Sequence, residues 1–307
     1  MHDNTIPNFR SVSKTLPCLY RSSSPEEIAE TLRDGDGVSS ASLSPAENIL
    51  LNEATLWIDI RTSSEVNVDK INFITQKAPG GPFEKMMFQD PRGLEASLHS
   101  ARKQRIYMSS KDPAFSMDYV FEYAVKHWVS ADAIVATGMI SKENSLVMEA
   151  ISQRGLGGLF EVILDCHSLI VGILQAITLH LEQRKAVGMG ANIIFHCTLG
   201  KDRTGIVSML CQSMVGDSDE QIVKEFVKSH CVEELAAVKL RPLFGKWVES
   251  SNFTKADAET MKETLAYIRT NPKYGSVDGY LDYIRFDASW RRRFVEAALD
   301  PPTALNV

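Results

Sequence analysis

A chain of 307 residues with 44% apolar and 23% charged side chains can bury a sizeable core, which excludes a disordered, collagen-like or disulfide-dependent miniature chain. Its 33 Lys and Arg against 39 Asp and Glu leave a formal charge of −6, so nothing global draws it to nucleic acid or an anionic membrane. Any anion site must be local. The cysteines Cys18, Cys166, Cys197, Cys211 and Cys231 are odd in number, widely spaced and free of any C-x-x-C pair. That pattern argues against a disulfide framework or a zinc site and for a reducing compartment. Met1 to Tyr20 has no basic start followed by an apolar stretch, so no signal peptide is read and a cytoplasmic location is expected. No metal, cofactor, nucleic-acid partner or transmembrane segment is expected.

In chain order, the Ser-rich stretch Gly35 to Ser44 reads as a loop. Leu56 to Ile60 is an apolar, β-branched run of buried-strand length, and Asn192 to His196 is another, so both are placed in one central sheet. Residues 66–190 between them are too long for a simple crossover and are expected to be mostly helical decoration inserted before the second strand. Within them, Asp112-Pro113 reads as a helix start ahead of Phe115, Tyr119, Val120 and Ala124, and a further helix is expected from Ser141 to a stop at Gly155. The uncharged run Ser168 to Leu181 is shorter than the ~18 to 20 residues a bilayer requires and reads as a buried helix.

After the second strand, Ile206, Leu210 and Met214 recur every four residues before Gly216, and Ser218 with Gln221 forms a capping box for the next helix. Met261, Leu265 and Ile268 mark another helix ending before Pro272, and Val277, Tyr280, Leu281 and Ile284 one more. Arg291-Arg292-Arg293, on a helix starting near Asp287, reads as a solvated face. No repeat or linker divides the chain, so residues 1–307 are expected to be a single α/β domain with a central sheet flanked by helices.

The informative stretch is His196-Cys197-Thr198-Leu199-Gly200-Lys201-Asp202-Arg203-Thr204-Gly205, between that strand and that helix. A loop turning from strand into helix directs successive N–H groups inward, and the positive helix end adds to the nest, so a dianionic phosphate fits there. The same field favours thiolate over thiol at Cys197, which makes it a nucleophile. Arg203, six residues on, offers a planar fork for two phosphate oxygens. Attack by Cys197 on phosphorus gives a phosphocysteine, splitting one hard hydrolysis into two displacements. Thr204 is placed to hydrogen-bond the sulfur, Gly200 permits the tight turn, and Gly205 allows close helix approach. The leaving oxygen needs a proton, for which Asp202 is the first candidate and Asp59, at the first strand's end, the second. The competing readings are Asp202 bonding loop amides and Asp59 paired with an Arg such as Arg61. Lys201 is read as projecting from the loop tip, either toward a second substrate anion or into solvent. A lone C-x5-R is weak, but the strand, His196, two glycines and a following helix make the combination strong.

The string H-C-x-x-G-K-D-R-T-G resembles the signature of the cysteine-dependent protein tyrosine phosphatase superfamily, and its Gly-Lys-Asp-Arg centre resembles the microbial tyrosine/serine phosphatase family. Asn8-Phe9-Arg10, Leu19-Tyr20-Arg21-Ser22-Ser23 and Asp59-Ile60-Arg61-Thr62-Ser63-Ser64-Glu65 are similar to that family's N-F-R, L-Y-R-S and D-L-R-S-x-x-E. The resemblance implies a protein-tyrosine-phosphatase-like fold, with Cys197 as nucleophile, Arg203 as phosphate clamp, Asp202 as acid and Lys201 as a substrate-facing cation. It further implies phosphate-binding amides over Thr198, Leu199, Gly200 and Lys201, with Thr204 beside them, and His196, Asp59, Arg61 and Arg21 in support. Val12-Ser13-Lys14 stands where the family has a Gly pair, and Thr198 where enzymes of inositol lipids often carry a second Lys. The expected activity is hydrolysis of phosphotyrosine in protein substrates, with a phosphoinositide phosphatase and a phosphate-binding pseudophosphatase as alternatives. A P-loop NTPase is excluded, since no G-x-x-x-x-G-K-[ST] occurs.

Overall fold

The computed structural model describes residues 6–26, 28–29, 32, 44–51, 55–78, 82–87, 106–109, 116–130, 145–188, 191–245, 248 and 251–299. Its centre is a six-stranded sheet of β1 (Arg10–Ser13), β2 (Leu16–Ser22), β3 (Thr55–Asp59), β4 (Glu84–Met87), β5 (Ile106–Ser109) and β6 (Asn192–His196), in spatial order β1-β2-β6-β3-β5-β4. β1 pairs antiparallel with β2, and all other pairings are parallel. β3 and β6 are direct neighbours, with Asp59 opposite His196. Both are buried at every residue because helices cover both faces. The pleat divides them: Leu56, Ile58, Ile193 and Phe195 enter one core, while Trp57 and Ile194 enter the other.

The smaller core holds Trp57, Tyr107 and Ile194 against α1 (Pro45–Leu51) and α2 (Val68–Lys77). Along the chain, α3 (Met117–His127), α4 (Ser145–Asp165) and α5 (His167–Ala186) contribute to the larger core. So do α6 (Asp202–Met214), α7 (Asp219–Val227), α8 (Glu233–Phe244), α9 (Ala258–Thr270), α10 (Val277–Tyr283) and α11 (Ala288–Leu299). The capping box at Ser218 and Gln221 is present, and α9 ends at Thr270, ahead of Pro272.

Four expectations change. Residues 66–190 are not decoration, because they supply β4 and β5 as well as the buried helix α5. Those strands are four residues each, too short to show a period, and β4 begins with Glu84-Lys85. Gly155 breaks α4 at φ 56°, ψ −149° rather than ending it, and Asn252 Oδ1 accepts the Leu156 N–H at 2.7 Å where the helix resumes. The N-cap of α3 is Ser116, whereas Asp112-Pro113, the Ser141 start and the loop Gly35 to Leu43 lie outside the described residues. Arg292 is exposed as expected, but Arg291 and Arg293 are half-buried and pair with Asp282 and Glu182 at 2.7 Å. Among the described residues no single helix is long and apolar enough to cross a membrane.

Candidate active site

Five parallel strands present their C-terminal ends together, and ligands of α/β sheets bind at such an edge. The loop Cys197 to Lys201 leaves β6 there and runs into α6, which begins at Asp202. Gly200 has φ 64°, and a Cβ on it would stand 2.0 Å from the Ser22 carbonyl oxygen, so only glycine fits this turn.

A cavity of about 480 Å³ opens over the loop. Cys197, Thr198, Leu199, Asp202 and Arg203 line it from the loop and from the start of α6. Thr62, Ser64 and Glu65 come from the turn after β3, Ser116, Asp118 and Val120 from the start of α3, and Leu159 from α4. Lys239 and Leu240 of α8 and Phe253 complete the wall. Cys197 is 2% exposed at this surface.

Arg203 reaches across to the neighbouring strand end, where Nη1 and Nη2 donate to the two oxygens of Glu65 at 2.7 and 2.6 Å and Nη1 also meets the Ile60 carbonyl at 3.3 Å. Thr198 Oγ1 donates to the same carboxylate at 2.7 Å. Burial alone would raise the Glu65 carboxyl, but these donors outweigh it and hold the group at about 2. Glu65 therefore stays ionised and fixes the plane of the Arg203 fork. Glu65 closes the Asp59 to Glu65 motif with no role that the sequence assigns, and only the register of β3 against β6 shows why it belongs.

Lys201 departs from its expected place. Its side chain is fully buried, and Nζ donates to Asp202 Oδ1 at 2.6 Å, to the Phe253 carbonyl at 2.9 Å and to the Lys255 carbonyl at 3.0 Å. A strongly hydrated ammonium enters a core when three acceptors replace its water, and here they tie the segment bearing Phe253 to the loop. Asp202, with its side chain one-fifth exposed, remains on the cavity wall. Thr204 Oγ1 is buried with no hydrogen-bond partner among the described residues.

The two aspartates divide. Asp59 has no exposed surface, and its oxygens take the Arg61 Nε and Nη2 donors at 2.9 and 2.7 Å and the Tyr107 hydroxyl at 3.0 Å. Arg61 also donates to Glu26 at 2.7 Å. Burial would raise the Asp59 carboxyl, and the hydrogen bonds and charge of Arg61 overcome it, so it lies below its ordinary value. Asp59 and Arg61 form a closed brace beneath the site, away from the cavity lining. His196 is buried and pushed down to about 4, chiefly by burial, so its ring is neutral near pH 7. Trp57 Nε1 donates to its Nε2 at 2.7 Å, which leaves the proton on Nδ1, 3.1 Å from the Cys197 carbonyl. With His196 neutral, Arg61 is the partner that keeps Asp59 ionised. Arg21 lies fully buried behind the loop, paired with Glu225 at 2.6 Å.

The sequence profile of the tyrosine phosphatase family matches residues 6–300. The chain belongs to that family. No curated protein matches the chain. Family membership makes the protein a phosphoric monoester hydrolase acting on phosphorylated substrates, and its α/β sheet flanked by helices is that of a tyrosine-phosphatase-like domain. Asp118, Lys239 and Phe253 of this phosphatase carried no sequence signal. They come from helices and a turn that only the tertiary fold brings to the loop.

Proposed function

We propose that the protein is a protein tyrosine phosphatase working through a Cys197 thiolate. The observation that carries this reading is that Cys197 and Arg203 share one cavity with the apolar side chains of Val120, Leu159, Leu240 and Phe253. An aryl phosphate buries its ring against such walls while its dianion meets the loop. Glu65 grips the guanidinium end-on through Nη1 and Nη2, so a phosphate approaches the side-on edge formed by Nε and Nη2. The Cys197 sulfur attacks phosphorus, and the phenolate leaves with a proton from Asp202. Water then attacks the phosphocysteine, giving its proton to the Asp202 carboxylate and releasing inorganic phosphate and the thiolate. Thr204 Oγ1, buried without a hydrogen-bond partner among the described residues, is assigned the role of donating to the departing sulfur.

The charges of the cavity favour this substrate over an inositol lipid. Among its described lining residues the cations are Arg203 and Lys239, against the carboxylates of Glu65, Asp118 and Asp202. A head group with several phosphates needs more cations than that, and Lys201 is turned inward. The deciding experiment compares a phosphotyrosine peptide, a phosphoserine peptide and phosphatidylinositol phosphates side by side, with Cys197→Ser as blank. Phosphotyrosine turnover is expected to exceed the others at least tenfold without added metal. Metal-dependent turnover, or activity retained by Cys197→Ser, overturns the reading.

A further inference from the structure

Behind the catalytic loop, on the side away from the cavity, the N-terminal hairpin places a row of donors. Ser24 N donates to the Thr198 carbonyl at 3.2 Å. Asn8 Nδ2 donates to the Leu199 and Gly200 carbonyls at 3.1 and 2.9 Å, and Arg21 Nη2 to the Gly200 and Lys201 carbonyls at 2.7 and 3.4 Å. In a trans peptide the C=O of one residue and the N–H of the next point in opposite directions, and no peptide here is cis. Each carbonyl held outward therefore turns the following N–H toward the opposite side.

We infer that Asn8 and Arg21 are positioning residues: by holding the carbonyls of Leu199 and Gly200 outward, they aim the amides of Gly200 and Lys201 at the phosphate. Converging N–H dipoles repel one another, so a loop of this kind needs strong acceptor bonds on its outer face to persist. Both residues suit the task. Asn8 sits at φ 60°, a left-handed conformation that Asn tolerates, and it is 8% exposed. Arg21 is fully buried, and Glu225, which accepts from its Nη1 at 2.6 Å, balances its charge. Arg10 donates to the other oxygen of Glu225 at 2.5 Å and also bonds Asn8 Oδ1, so the two positions are locked together. Ser229 Oγ joins the cluster, accepting from Asn8, Arg10 and Arg21 at 3.4, 2.8 and 3.2 Å, but it touches no loop carbonyl.

The inference rests on the phosphatase reading above, and its test separates the two. The full-length protein and the variants Asn8→Ala, Arg21→Lys and Ser229→Ala are measured three ways: turnover of an aryl phosphate, protection of Cys197 by inorganic phosphate, and the pH midpoint of its alkylation by iodoacetamide. Alkylation is read at Cys197 by mass spectrometry, because Cys231 is exposed and would also react. Asn8→Ala and Arg21→Lys are expected to lower kcat/KM by about ten- to a hundredfold, weaken phosphate protection and move the alkylation midpoint to higher pH. Ser229→Ala is expected to lower Tm while leaving midpoint and protection unchanged. Should Arg21→Lys fail to fold, Asn8→Ala decides alone. A folded Asn8→Ala with wild-type midpoint and protection overturns the inference, as does Ser229→Ala shifting the midpoint equally. Wild-type protein without phosphate protection overturns the phosphatase reading itself.

Discussion

Two adjacent parallel strands end level with one another, and the turns that follow them use the same chemical vocabulary. β3 ends in Asp59 and is followed by Arg61, Thr62, Ser64 and Glu65, and after β6 come Cys197, Thr198, Lys201, Asp202 and Arg203. In the first turn the Arg61 fork closes on Asp59, two residues away, and on Glu26, leaving both Asp59 and Arg61 at 2% exposure or less. In the second, the Arg203 fork reaches to a carboxylate of the other turn and stays on the cavity wall. The second turn also runs into the thirteen-residue helix α6, whereas the first runs into a three-residue turn, Ser63–Glu65. A helix N-terminus favours an anion, whereas an Arg whose fork is closed on its own neighbour acts as a brace.

The sharpest test of that contrast exchanges the two aspartates. Asp202→Asn is expected to slow phosphotyrosine, with its basic leaving group, by roughly 10² to 10⁴ while slowing an activated aryl phosphate much less. Asp59→Asn should slow both alike and lower Tm. Equal losses from Asp202→Asn, with selective loss from Asp59→Asn, would exchange their roles. Asp118→Asn belongs in the same series, since that carboxylate also faces the cavity.

Somewhat smaller effects come from the two arginines. Arg203→Lys keeps the charge but loses the planar fork, so turnover should fall about 10² to 10³-fold with Tm nearly unchanged. Arg61→Met strands the fully buried Asp59 and should cost roughly 3 to 5 kcal/mol of stability in urea titration. If Arg61→Met is as stable as wild type, the brace is not one.

The smallest expected effect is a pH dependence of stability. The folded His196 ring titrates at about 4 against an ordinary 6.5, so on acidification the unfolded chain takes up the proton first. The associated stability is fully present above about 6.5 and is lost as pH falls through 4, amounting to roughly 3 kcal/mol. His167 is also lowered, mainly by burial, and adds to the slope. Tm measured between pH 7 and 4.5 should therefore fall more steeply for wild type than for His196→Asn. Parallel slopes would mean that the ring is not held neutral.

The sequence by itself determined β3 and β6, the helix that follows the loop, and the Cys197 to Arg203 spacing, because apolar periods and a strand-to-helix turn are settled within about ten residues. The proposed nucleophile, clamp and acid, Cys197, Arg203 and Asp202, were legible there, and the rest of the cavity wall was not. Sequence periodicity says nothing of which distant carboxylate meets which cation, and the order β1-β2-β6-β3-β5-β4 decides that. By placing β2 and β3 on either side of β6, that order sets Glu65 against Arg203 and brings Asn8 and Arg21 to loop carbonyls roughly 180 to 190 positions away. Helix packing likewise turned Lys201 from an expected substrate contact into a buried tie, because two carbonyls of the 253–255 segment and Asp202 lay within its reach. A buried charge goes where acceptors replace its water, and those acceptors come from chain segments that meet only in the folded state.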